Sequence, residues 1–165
     1  MVEDARFEDG VPASDQPLRL AVESVEDLNV ASALLQDAVG TAGDIAWMPR
    51  RRRLVMQVNR FRWEDHDKAA QQRRPFERVR TAIVIDSVLS VKARGLDPSD
   101  RETLFALLSL EFEPGEDGAG RLILHLAGDG DLALEVECIE MALSDISKPW
   151  VAKAGAPDHK LDEPE

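Results

Sequence analysis

Only one cysteine, Cys138, occurs in these 165 residues, so no disulfide can close within the chain and no thiolate cluster can hold zinc. That usage points to a reducing compartment and predicts a cytoplasmic protein. No run of eighteen apolar residues occurs, and the segment from Met1 to Leu18 lacks the basic start and apolar stretch of a secretory signal. Neither secretion nor membrane association is therefore expected. No glycine-rich phosphate loop, dinucleotide fingerprint or nucleophile elbow is present, and no cofactor is expected. His66, His125 and His159 lie far apart, without the nearby acid or thiol partners of metal motifs. Gly128-Asp129-Gly130-Asp131 has the composition of a calcium loop but not its later glutamate, and reads as a hairpin turn.

What is present is an ordinary globular composition, 44% apolar and 32% charged, long enough for one core. Residues 1–17 are acidic and poor in large apolar groups, and residues 151–165 mix proline, glycine and acids. Both read as disordered arms around a single folded domain over residues 18–150.

Within that domain Leu18, Leu20 and Val22 alternate as a short strand does, and Ser24 with Asp27 reads as a helix N-cap. Val25, Leu28, Ala31, Leu34, Leu35 and Ala38 then form one helical stripe, with Gly40 and Gly43 bracketing its exit. From Asp44 the period becomes two: Ile45–Met48, a turn at Pro49 and Arg50, then Leu54, Met56 and Val58 inside a strand running to Trp63. Glu64 to Arg74 reads as a long, partly helical loop. Val79 to Val91 reads as two strands with a register slip near Asp86 and Ser87. Leu104–Phe112, Leu122–Ala127 and Leu132–Val136 follow as an antiparallel meander. Ile139, Met141, Ala142, Leu143 and Ile146 are expected on a closing helix ended by Pro149.

This order predicts an α+β fold, mostly antiparallel β, with an N-terminal β-α extension. Two architectures fit: a pleckstrin-homology-like split barrel capped by its C-terminal helix, or a sandwich with both helices on one face.

Asp44-Ile45-Ala46-Trp47, the basic turn Pro49–Arg53, Asn59–Trp63, Arg78-Val79-Arg80 and Glu135–Cys138 resemble an uncharacterised proteobacterial family catalogued only as a domain of unknown function. The resemblance spans about Leu18 to Trp150. It implies no activity, cofactor or catalytic residue.

Charge is the chain's most unusual feature. Between Trp47 and Arg80 stand eleven Lys or Arg and four acids, a local +7, against nine bases and twenty-eight acids elsewhere, −19. Paired strands would gather Arg60 and Arg62 with Arg78 and Arg80 beside Arg50 and Arg52, and guanidinium forks suit phosphates or carboxylates. Phe61, Trp63 or Phe76 would offer stacking surfaces at such an anion or partner site. The same residues also fit a solvated strand face, or a self-association surface in which one subunit's basic hairpin meets another's acidic meander. Nucleic acid is disfavoured as partner, because a net −12 chain is repelled by it at long range.

Cys138 lies in an apolar pattern and is expected to pack as a small core residue, and Asp97, Asp100 and Glu102 to form a loop with a helix-capping role. The function expected is a noncatalytic binding or adaptor module contacting a protein or anionic partner. The alternative is a small enzyme whose Arg60, Arg80 and His125 converge only in the fold around an anion pocket.

Overall fold

The computed structural model describes residues 16–73 and 76–152. The first strand, β1 (Arg19–Val22), leads to Ser24, whose hydroxyl accepts a hydrogen bond from the Asp27 amide at 3.1 Å. The Asp27 carboxylate accepts one from the Glu23 amide at 3.0 Å, so two amides at the helix start find partners. Helix α1 (Val25–Leu35) buries Leu28, Ala31 and Leu35 as its periodicity predicts, whereas Val25 is 49% exposed. Gly40, expected at the helix exit, instead lies in β2 (Val39–Thr41), where a Cβ would sit 2.8 Å from the Phe105 ring and 3.0 Å from the Gln57 carbonyl oxygen. Strands pack too closely there for a larger residue.

Strand β3 (Ile45–Met48) and β4 (Arg53–Phe61) form the expected hairpin, with Ile45 opposite Met56 and Met48 opposite Arg53. Pro49–Arg51 makes one 3-10 turn between them, and Arg52 leaves it in the left-handed region at φ 52°. The long loop holds a short helix, α2 (His66–Gln71). The region from Val79 divides as predicted into β5 (Glu77–Ile85) and β6 (Val88–Arg94), separated by Asp86 and Ser87. The meander is also as expected, formed by β7 (Leu104–Pro114), β8 (Gly120–Leu126) and β9 (Gly130–Val136).

The closing helix is not there. Residues Met141–Asp145 form β10, which pairs antiparallel with β1 on one side and β5 on the other. Met141, Leu143 and Asp145 turn inward while Ala142 and Ser144 turn outward or lie half-buried. A helix would leave the facing edges of β1 and β5 with unpaired amides and carbonyls, and a strand inserted between them satisfies both rows. The apolar spacing of this short segment fits either period, so the vacant slot decides. The helix that would plug a split barrel is therefore this strand. Order also continues past residue 150: β11 (Trp150–Val151) pairs with Glu77 and Arg78, and the Ala152 amide donates to the Phe76 carbonyl at 2.8 Å. The rest of the two expected arms, 1–15 and 153–165, lies outside the described residues.

The sheet runs β1-β10-β5-β4-β2-β7-β8-β9-β6, with β3 added to β4 and β11 to β5, and its ends do not meet. Inward side chains from both halves share one core with α1: Leu54, Met56 and Ile83 from one half, Leu107, Leu124 and Leu134 from the other. The two halves thus face each other, and the Asp86-Ser87 turn carries the chain between them.

Candidate functional site

Pairing of β4 with β5 places Asn59 opposite Arg80, Arg60 opposite Val79 and Phe61 opposite Arg78. Even-numbered residues of β4 thus share a face with odd-numbered residues of β5. Because side chains alternate with a period of two, Arg60 falls on the inner face, while Arg78 and Arg80 fall on the outer one. The four arginines expected together are separated by the sheet itself.

Arg60 is fully buried. Its Nε donates to Thr81 Oγ1 at 3.0 Å, its Nη1 to Glu64 Oε1 at 2.8 Å, and its Nη2 to Glu64 Oε2 at 2.8 Å and Asp145 Oδ2 at 3.0 Å. Burial works against the charge, but hydrogen bonds and Coulomb attraction from Glu64 and Asp145 outweigh it and hold the guanidinium above its ordinary value. Asp145 also accepts from the Thr81 hydroxyl at 2.8 Å and the Leu18 amide at 2.8 Å. One carboxylate therefore ties together β1, β4, β5 and β10. Arg62, 2% exposed, pairs through Nη1 with Glu77, with Asp65 Oδ2 at 3.7 Å. The sequence had signalled the inward placement of Arg60, since Leu54, Met56 and Val58 continue to it in steps of two. Its partners Thr81 and Asp145, 21 and 85 residues away, carried no such signal.

On the outer face Arg80 reaches Gln57 Oε1 at 3.2 Å, Asn59 Oδ1 at 2.9 Å and Asp44 Oδ1 at 3.2 Å, and Arg78 Nη1 donates to the Asn59 carbonyl at 3.2 Å. Both serve to tie neighbouring strands. Trp63 is no open platform either: its Nε1 donates to the Gln36 carbonyl at 2.9 Å, just past α1, and its ring packs edge-on to buried Phe61 at 4.7 Å. His66 stacks on Phe76 at 5.0 Å in the same aromatic group.

The basic turn divides in two. Arg52 pairs with Glu137 at 2.7 Å, and Arg53 with Asp86 at 2.7 Å, a hydrogen bond that raises the Arg53 pKa. Arg50 and Arg51 are exposed and make no ion pair among the described residues. Of the residues read from the sequence as a partner site, Arg50 is open to an outside anion and Arg52 beside it is half-exposed; Arg51, which that reading left out, stands next to them and is also open.

His125 lies on the outer face of β8, where its Nε2 sits 2.7 Å from Glu111 Oε1. A shallow groove of about 440 Å³ beside it is lined by Leu108, Ser109, Asp129 and Arg94 among others. His125 is thus on the meander half, Arg60 is in the interior and Arg80 outside β5, so the three do not converge around one anion pocket. Cys138, expected in the core, is exposed in the connection from β9 to β10.

Asp97 lies in a loop as predicted, but no helix follows among the described residues, and the carboxylate caps the turn at Ser99 instead. Its Oδ1 accepts from the Ser99 hydroxyl at 2.7 Å and the Ser99 amide at 3.0 Å, and these two bonds lower its pKa against weak desolvation. A lowered folded value contributes stability above the unfolded value, lost as pH falls through the folded one. In a carbon-detected NMR titration Asp97 is expected to titrate below an ordinary aspartate, and Ser99→Ala to move its midpoint upward. An unmoved midpoint would assign the shift elsewhere.

No helix among the described residues is long and apolar enough to cross a membrane. Neither the curated proteins nor the solved structures contain a match to this chain. A family described as "Protein of unknown function (DUF2948)" matches residues 18–159, a range that contains every strand of the sheet, and the chain belongs to that family.

Proposed function

We propose that the protein is a noncatalytic binding module that meets an acidic partner through the turn carrying Arg50 and Arg51. The observation behind this reading is the division of the arginines. Arg60, Arg62, Arg78 and Arg80 are consumed in ties within the fold, whereas Arg50 and Arg51 stand exposed on a turn without a carboxylate of their own among the described residues. Exposed, unsatisfied guanidiniums retain their forked donors for carboxylates or phosphates. A turn opened by Pro49 and locked by the left-handed Arg52 presents them on a fixed backbone. The chain as a whole carries −12, so an anionic partner meets less repulsion at this basic turn than over the acidic remainder of the sequence.

Fluorescence anisotropy with labelled hexaglutamate at low salt tests the reading. The Arg50→Glu/Arg51→Glu variant is expected to bind about tenfold more weakly, as loss of about 1.4 kcal/mol from two charge contacts requires. Hexalysine is expected to bind that variant no worse. Equal affinity of wild type and variant for hexaglutamate would sink the proposal.

A further inference from the structure

The turn that carries Arg50 and Arg51 lies against the last strand of the sheet. In the strand order β6 has a single neighbour, β9, so its other edge is open among the described residues. Backbone parity identifies what that edge offers. The Glu137 amide donates to the Ser87 carbonyl at 2.9 Å, so the odd-numbered residues of β9 turn their backbone groups toward β6. These are Glu135, Ala133 and Asp131, opposite Ser90, Lys92 and Arg94. Val91 and Ala93, which alternate with them, therefore point their amides and carbonyls to the open edge. Val88, ahead of the register slip that leaves Leu89 as an extra residue, points the same way, and its amide donates to the Arg52 carbonyl at 2.9 Å. The basic turn thus takes the first place along this edge and leaves Val91 and Ala93 beyond it open.

Two kinds of side chain border the edge. Val91 packs partly against the core and Ala93, two residues on, is exposed on the same side, so the inner rim is apolar. Lys92 stands exposed on the outer side, opposite Ala133. The carboxylates diagonal to it are engaged elsewhere, Asp131 with Arg94 and Glu135 with Arg121, and Lys92 makes no ion pair among the described residues. With Arg50 and Arg51, it lines the edge with cations that have no carboxylate of their own among those residues.

We propose that the partner of the basic turn is an extended acidic segment of another protein, added to β6 as an antiparallel strand. The inference rests on the binding reading above and states how the partner is held. The segment's backbone bonds the amides and carbonyls of Val91 and Ala93, which gives affinity, and its alternate side chains give specificity. In an antiparallel pair, residues that exchange backbone bonds face the same side, so those opposite Val91 and Ala93 are apolar and turn inward. The residues between them are acids that meet Lys92, and the end of the strand reaches Arg50 and Arg51. A second copy does not suit this edge, because pairing two β6 strands crowds the cations of both along one line.

Nitrogen-15 NMR of the full chain, titrated with a capped hexapeptide of alternating Glu and Val, tests the proposal. In the free protein the Val91 and Ala93 amides are expected to exchange with solvent about tenfold faster than that of Lys92, and the peptide to slow them and shift their resonances. Methylating the valine nitrogens removes the donors aimed at β6 and is expected to weaken binding about tenfold, whereas methylating the glutamate nitrogens, aimed at solvent, changes it less than about twofold. Lysine in place of glutamate is expected to weaken binding about tenfold as well. Ala93→Pro removes an edge amide but no ladder bond, and is expected to lose the Glu-Val peptide while keeping hexaglutamate. The methylated peptides test the same point with the protein unchanged. Strand addition is overturned by an unmodified peptide that does not bind, by edge amides already protected in the free chain, or by valine methylation that costs no more than glutamate methylation. Equal binding of the lysine peptide, or unchanged binding by Ala93→Pro, overturns it too. If hexaglutamate still depends on Arg50 and Arg51 in any of these cases, the binding reading stands and only the mode of engagement is wrong.

Discussion

Truncating Asp145 to Ala is expected to destabilise the fold by about 3–5 kcal/mol, since it strands a fully buried Arg60 without its main interior partner. Thr81 would lose an acceptor and the Leu18 amide would be left unpaired as well, because all three donate to the same carboxylate. Urea denaturation followed by circular dichroism measures the loss. The double replacement Arg60→Met/Asp145→Leu is expected to cost clearly less than the two single changes together, because apolar groups of similar volume need no compensating charge. Additive single costs would mean that the ion pair is not a coupled unit. A loss under about 1 kcal/mol for Asp145→Ala would mean that water reaches the site and that it behaves as a surface pair.

The second large effect separates strand from helix at residues 139–146. Leu143 is fully buried between β1 and β5, whereas Ile146 is 50% exposed just beyond the strand. Leu143→Ala is expected to cost about 2–5 kcal/mol through lost transfer energy and the cavity left behind. Ile146→Ala is expected to change stability by less than about 0.5 kcal/mol, as surface substitutions do. On a closing helix the two positions would share the buried face and both replacements would be costly. Comparable large losses at Leu143 and Ile146 would contradict the strand.

Segments with a strong local signal were legible. Ser24 and Asp27 closed the amides of α1 within a few residues, the hairpin through Pro49 needed only its own turn, and each strand of the meander carried clear alternation and a turn beside it. The same alternation already separated the arginines. Arg60 continues the inward set of Leu54, Met56 and Val58, and Arg78 and Arg80 fall between the inward Val79, Thr81 and Ile83. Grouping the four overlooked which residues face each other across the ladder, since parity assigns a face only once register is known. At residues 139–146, by contrast, both periods fitted the sequence.

By itself, then, the sequence determined the element types wherever neighbours along the chain supply the hydrogen bonds, along with the charge imbalance that leaves +7 in one segment of a net −12 chain. Only the tertiary structure decided that residues Met141–Asp145 become a strand, because two distant edges, β1 and β5, needed partners that a helix could not provide. It also decided which arginines remain available. Asp145 lies 85 residues from Arg60, and Asp44 lies 36 from Arg80, so no local pattern could mark those as satisfied and leave Arg50 and Arg51 without an ion pair among the described residues. Burial and register select partners across long separations, whereas periodicity and capping act within a few residues.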